Sequence, residues 1–302
     1  MRVKTLAVAL FGAAFFVTGA SRAQQDFSKV DIKITDLGHD TFMLEGSGGN
    51  ITVAAGRDGV IMVDGQFAPL HDRIKAAVFA VTGLPVRYLV NTHFHSDHIG
   101  GNGAFAGDGT TIVSQANVAV RLGGGAIDRQ SGAKVPALAK EMIPKLTYAD
   151  SMNLSVKGLT ARLGHPAKAH TDGDTYVHFK VANVIATGDI VTLGRYPLVD
   201  FLNGGSIQGM IAAVDGYLKL ANDNTRIVPG HGPLATKATL AEYRAMLATA
   251  RDRVAKLIAE GKSEQEAVAA RPIADIDAKL RVSEPLSANF VRSIYSSLKP
   301  KA

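Results

Sequence analysis

Between Asn91 and Asn102 the chain places His93, His95, Asp97 and His98 within six residues, directly after the apolar run Val86 to Val90. That stretch limits the fold more tightly than any other. A short apolar run bounded by polar residues reads as a buried strand, so the four polar groups stand where a strand ends. Three imidazoles and a carboxylate so close together cannot be explained by core packing. A cation organises such a cluster, and nitrogen and oxygen donors of this kind suit zinc. In an extended segment His93 and His95 project to one side. A turn beyond them aims Asp97 and His98 at a second position beside the first.

The motif His-x-His-x-Asp-His, followed by Gly100-Gly101-Asn102, resembles the signature of the metallo-β-lactamase superfamily. Three further segments appear in the order that the resemblance requires. They are His170 in His170-Thr171-Asp172-Gly173-Asp174, Asp189 in Thr187-Gly188-Asp189, and His231 in Pro229-Gly230-His231-Gly232. The resemblance covers about residues 30–235. It implies an α/β fold, the four-layer αββα metallo-β-lactamase sandwich with mixed sheets, whose strand-end loops collect the ligands.

The resemblance also implies a ligand set. His93, His95 and His170 would hold one metal, Asp97, His98 and His231 a second, and Asp189 would bridge them. The implied cofactor is zinc, two ions per chain, with iron as the alternative. The implied activity is hydrolysis of a β-lactam, lactone, ester or thioester by a metal-bridging hydroxide, oriented by Asp97 as the catalytic residue. An iron-dependent persulfide dioxygenase and a glyoxalase II-like thioesterase are the alternatives on the same fold. The cysteine-ligand β-lactamases carry Cys where Asp189 stands, and this chain has no cysteine. The all-histidine β-lactamases lack a bridging carboxylate there, whereas glyoxalase II-type thioesterases and lactonases have one.

Other candidates are weighed against this set. His165 precedes His170 by five residues, but the Thr-Asp-Gly-Asp tail selects His170. His39, His71 and His178 lack such company and read as structural, His71 on a solvated helix. Asp172 and Asp174 read as turn formers or as groups behind the ligands. Asp64 is either a structural acid bonding loop backbone or an ordinary turn residue. Tyr196 and Asn203 lie between Asp189 and His231 and are the candidate substrate contacts, either of them a donor to an oxyanion; a turn with a surface Tyr explains the same residues equally well.

Residues 1–23 read as a secretory signal peptide. Arg2 and Lys4 precede the apolar run Thr5 to Val17, and Ser21-Arg22-Ala23 supplies a small-residue cleavage site. The run is too short for a membrane span. Cleavage lowers the basic residues from 33 to 30 against 27 acidic ones, a net charge of about +3. That is too weak, with no Lys/Arg run, for a nucleic-acid surface. The expected product is a single domain over residues 24–302, periplasmic or secreted, acting on a small molecule without stable membrane insertion. Its oligomeric state is left open.

The rest of the pattern is coarse. Short strands are predicted near residues 32–34, 41–44, 50–53 and 59–63 as a meander. Pro69 to Val81 reads as a helix stopped by Gly83. A strand at 111–113 and a helix at 115–122 lead to a Gly-rich stretch, 123–134, expected as a flexible loop near the site mouth. Further strands are predicted at 154–156, 159–163, 174–181, 183–187 and 226–228. Helices are predicted at 209–222, 239–260, after the Ser263–Glu266 capping box, and at 288–298.

Overall fold

Two sheets lie face to face in the computed structural model, which describes residues 26–299. The expected signal peptide, residues 1–23, lies outside them. The first sheet runs, in spatial order, β1 (Lys33–Asp36), β2 (Thr41–Glu45), β3 (Ile51–Ala55), β4 (Val60–Val63), β5 (Val86–Val90), β6 (Thr111–Gln115) and β7 (Leu146–Tyr148). Strands β1 to β4 form the expected antiparallel meander, and β4 to β7 are parallel. The second sheet holds β8 (Ser151–Val156), β9 (Leu159–Gly164), β10 (Tyr176–Phe179), β11 (Val184–Ala186) and β12 (Arg226–Val228). Its strands are antiparallel until β11, which pairs with β12 in parallel.

Helices cover both outer faces. They are α1 (His71–Thr82), α2 (Ser96–Ile99), α3 (Asn102–Gly107), α4 (Ala116–Val120), α5 (Ile207–Leu220), α6 (Lys237–Ala259), α7 (Glu264–Ala269), α8 (Ala274–Leu280) and α9 (Glu284–Leu298). Strand β4 is buried on both sides, and its alternation explains how the layers bind. Val60 and Met62 face Ile74 and Val78 of α1, while Ile61 and Val63 face the second sheet. Between the sheets, Met43, Val90 and Val113 meet Leu163, Val177 and Phe179. Beyond the second sheet, Ile227 packs under Met210 and Val214 of α5, Leu240 and Leu247 of α6, and Ile294 of α9. The result is helix, sheet, sheet, helix, the αββα order expected from the motif.

Local signals behave as their chemistry requires. Gly83 closes α1 in the left-handed conformation at φ 65°, and its N–H donates to the Phe79 carbonyl. Thr236 caps α6 by accepting from Thr239 N, and the Ser263–Glu266 capping box opens α7. Several features differ from the sequence reading. Strand β7 and helix α8 were not expected, because three and seven residues are too few to show a period. The helix expected over 115–122 ends at Val120 and widens into a turn at Arg121–Gly125, where Gly124 takes φ 101°. Residues 123–134 are tied down rather than loose. Ile127 bridges to Lys134, and the Asn203 side chain bonds both the N–H and the carbonyl of Ile127.

His71 also corrects the sequence reading. Its side chain is only 13% exposed, lies between Asp72 and Asp108, and packs edge-on against Phe105. It is a structural histidine, but not a solvated one.

Leu247 is fully buried where α6 meets the second sheet. Leu247→Ala is expected to cost about 2–5 kcal/mol of stability through lost transfer energy and the cavity left behind. Urea unfolding followed by circular dichroism measures it.

Candidate metal centre

The histidine motif leaves β5 and is clamped at both ends. Asn91 Nδ2 donates to Asn102 Oδ1 at 2.9 Å, and Asn102 Nδ2 returns a bond to Asn91 Oδ1 at 2.8 Å. Between them His95 stands at the entrance of α2 in extended conformation, so Asp97 and His98 ride on a single helical turn. Asp64, at the end of β4, holds this loop from beneath. Its Oδ1 accepts from Thr92 N at 2.8 Å, and its Oδ2 accepts from Thr92 Oγ1 at 2.7 Å. Asp64 adopts φ 64°, a left-handed position uncommon outside glycine. It is therefore the structural acid of the two readings offered by the sequence.

Distant segments reach the same place because strands end there. His170 follows β9, and its loop is fixed by Thr171, whose N–H and hydroxyl both donate to Asp174. The parallel pairing of β11 with β12 aligns Ala186 with Val228, so the residues after both strands emerge side by side. Asp189 and His231 are those residues, 3.3 Å apart between Oδ1 and Nε2. The backbone must come very close here. A Cβ on Gly230 would collide with Asp189 Oδ1, and one on Gly49 would collide with the His98 ring.

Two donor groups result. His93, His95, His170 and Asp189 form one, and Asp97, His98 and His231 the other, with the donor atoms of each group within 4.8 Å of one another. The second nitrogen of four of the rings is already spoken for. His93 Nδ1 sits 3.0 Å from Thr92 Oγ1, which has given its own proton to Asp64 and must accept. His98 Nδ1 donates to Asp64 Oδ2 at 2.8 Å, His170 Nδ1 to the Leu198 carbonyl at 2.7 Å, and His95 Nε2 to Asp200 Oδ2 at 3.0 Å. The remaining nitrogens turn inward. His95 Nδ1 and His170 Nε2 face each other at 3.0 Å, and His98 Nε2 and His231 Nε2 at 3.4 Å. His93 Nε2 and Asp189 Oδ1 are buried without a hydrogen bond. Asp189 Oδ1 is 3.2 Å from His98 Nε2, yet the approach lacks hydrogen-bond alignment. Lone pairs that converge within each group, four of the rings braced by an oxygen behind them, suit a metal ion.

Electrostatics agree with that fit. Burial, reinforced by the neighbouring imidazoles, pushes His93 well below its usual range and His170 down to about 4, so both imidazoles are neutral at pH 7, as binding a cation requires. Burial opposes ionisation of Asp97, but the His231 hydrogen bond and the His98 charge outweigh it and hold the carboxyl at about 2. Asp189 is likewise held low against its burial, chiefly by His98 and His231. His98 is raised despite burial because Asp189 and Asp64 flank it. The carboxylates thus demand positive charge at the second group, which a bound cation supplies in place of a proton.

The other sequence candidates separate cleanly. His165 Nδ1 bonds the Asp174 carbonyl, outside both groups. Asp172 pairs with Arg121. Tyr196 and Asn203 do line the cavity of about 750 Å³ that opens over Asp97, Asp189 and His231. Neither has a donor to offer an oxyanion. The Tyr196 hydroxyl donates to Asp277 at 2.7 Å, and the Asn203 amide donates to Ile127 O and Asp200 Oδ2. The expected oxyanion donation is therefore open to neither, although both remain at the cavity wall.

Asp200 is the residue that the sequence reading missed. It is buried and orients His95, and its signal was an acid set inside the apolar stretch Pro197 to Phe201. Asp200→Ala is expected to weaken metal binding about 10–100-fold while the fold persists. His165→Ala is expected to leave metal content unchanged and His170→Ala to lower it. Competition against a chromogenic chelator reads all three.

Comparison with known proteins agrees with this geometry. The family profile described as the metallo-beta-lactamase superfamily matches residues 44–231. No curated protein sequence matches the chain. Among solved structures, a metallo-beta-lactamase from Pontibacter korlensis superposes with TM-score 0.59 at 16% identity, covering 72% of this chain and 99% of its own. The DIM-1 metallo-beta-lactamase gives TM-score 0.59 at 18% identity, over 74% of this chain and 100% of its own. The inverting sec-alkylsulfatase Pisa1 from Pseudomonas sp. gives TM-score 0.64 at 16% identity, over 88% of this chain but 50% of its own. At such identities the structural likeness speaks for the fold, and the profile match over most of the chain speaks for descent. The chain belongs to the metallo-β-lactamase superfamily, whose members are generally metal-dependent hydrolases.

Proposed function

We propose that this protein is an exported dizinc hydrolase that cleaves a carbonyl substrate: a β-lactam, lactone, ester or thioester. The observation that carries the reading is Asp189. Its Oδ2 lies 3.9 Å from His170 Nε2, and its Oδ1 lies 3.2 and 3.3 Å from His98 and His231 Nε2, so one carboxylate addresses both donor groups. His93, His95 and His170 would hold one zinc, Asp97, His98 and His231 the other, and Asp189 both. Zinc held there supplies a water whose pKa falls from ~15.7 to about 7, and a Lewis acid for the carbonyl oxygen.

The chain's own residues supply the rest. Asp97 stays ionised at neutral pH and lines the cavity, so its carboxylate can accept a hydrogen bond from an attacking water and orient it. Asp200 and the Leu198 carbonyl keep His95 and His170 from turning. Phe94, Leu122 and Leu138 line the cavity and limit water around the reacting carbonyl. Export rests on residues 1–23 and favours extracytoplasmic carbonyl compounds over glutathione thioesters. No helix among the described residues is long and apolar enough to cross a membrane.

The test is to count metals in the purified protein and to screen lactams, lactones, esters, thioesters and alkyl sulfates. Two zinc ions and hydrolysis of a carbonyl class are expected. One iron per chain with no hydrolysis overturns the reading.

Asp189→Asn is expected to retain about one tightly bound metal and to lose activity by orders of magnitude, because a neutral amide bridges two dications poorly. Two tight metals with near-normal turnover in that variant would remove the bridge from the argument.

A further inference from the structure

Four of the five rings carry a brace on the nitrogen that faces away from the donor groups, and His231 is the exception. Among the described residues, every polar contact of its ring runs through Nε2, toward Asp97, Asp189 and His98. Its side chain is 16% exposed, so packing leaves one side of the ring open. A ring without a brace of its own is held through its backbone.

That backbone is fully engaged. Pro229-Gly230-His231-Gly232 offers four carbonyls, and each accepts a hydrogen bond. The His231 carbonyl accepts from Leu193 N at 2.9 Å. The other three are all taken by Asn50, one residue before β3 in the first sheet. Its Nδ2 donates to Pro229 O and Gly232 O, both at 2.9 Å, and its backbone N–H donates to Gly230 O at 2.7 Å. The two carbonyls bonded by the side chain flank His231 on either side. Only a primary amide of this length does that work, because it carries two N–H groups on one nitrogen. A hydroxyl has one such proton to give, and a carboxylate has none.

Asn50 is anchored in turn to the other half of the second donor group. Gly49 N donates to the Asp97 carbonyl at 3.0 Å. Gln66, fully buried, donates Nε2 to Gly49 O at 2.7 Å, and its Oε1 accepts from Ser47 N at 3.2 Å. The turn between β2 and β3 is thus bonded at one residue to the loop of Asp97 and His98, and at the next to the loop of His231. His98 and His231 stand 133 positions apart in the sequence.

We infer that Asn50 is the positioning residue of His231. By tying the His231 loop to the Asp97–His98 loop it sets the spacing of the second donor group, and with it the affinity of that group for its metal. The inference rests on the two-metal reading given above. Removing the side chain leaves the backbone bond to Gly230 O in place, so the loop stays attached while the ring loses its fixed direction, and a less preorganised site binds more weakly.

Stepwise zinc titration against a chromogenic chelator tests this, with wild-type protein expected to take two ions. Asn50→Ala is expected to bind the second ion about 10–100-fold more weakly and the first within about twofold of wild type. Asn50→Asp, nearly the same shape but without an N–H to give, is expected to match it. Cobalt(II) titration reads the same step by its visible absorption, independently of turnover. A double-mutant cycle with His231→Ala separates positioning from general support of the fold. Once the ring is gone, Asn50→Ala is expected to cost about twofold or less in second-site affinity, whereas independent effects add. Ser263→Ala, which uncaps α7, is expected to lower the melting temperature and leave both binding steps unchanged. The inference is overturned if Asn50→Ala binds both ions as wild type does, if it weakens both steps alike, if the cycle is additive, or if neither Asn50 variant folds by circular dichroism. Wild-type protein that takes fewer than two ions overturns the two-metal reading and this inference together. The expected binding pattern without turnover of any substrate class would sink the hydrolase reading alone.

Discussion

The Asp64 carboxylate is the fixed point from which the site is built. It ends a strand buried on both faces and takes the Thr92 amide, the Thr92 hydroxyl and the His98 ring on its two oxygens. Through Thr92 it also sets the tautomer of His93. One buried acid thus orients two of the imidazoles and holds the loop that also carries His95 and Asp97. Burying it is tolerable because its neighbours all donate. An unpaired carboxylate in that position would carry the full desolvation cost.

Around that point the two sheets do what short strands do well. Each delivers loops at one end of the sandwich, and the parallel pair β11 and β12 delivers two ligands at adjacent positions. The chain then accepts an arrangement that is unfavourable alone: facing lone pairs, an orphaned His93 nitrogen, and a carboxylate oxygen with no donor. Folding energy from three large apolar clusters offsets that local cost. Preorganised ligands lose little entropy when a cation arrives, which is why such strain serves function.

The C-terminal helices extend this logic beyond the matched stretch. Tyr196, anchored to Asp277 and stacked on Phe290, begins the segment whose Leu198 carbonyl and Asp200 carboxylate steady His170 and His95. Packing on α8 and α9 is therefore connected to the first donor group by a few residues of backbone. Helix α9 also lines the cavity.

Much of this was legible in the sequence, and for a definite reason. Ligand chemistry is carried by residue type and local spacing, so the His93–His98 cluster and the His170, Asp189 and His231 segments could be named without coordinates. The short strand at 59–63, the Gly83 stop and the Ser263 capping box are local as well, and each appears where its pattern stood. What only the tertiary structure decided was partnership across distance. Whether a hydroxyl or amide is a free donor depends on which group the fold brings beside it to consume it. Tyr196 is spent on Asp277, and Asn203 on Ile127 and Asp200. The same holds for Asp200 behind His95 and for α9 at the cavity wall. Hydrogen-bond partners and pocket walls are properties of packing, and packing is not written in the spacing of any one segment.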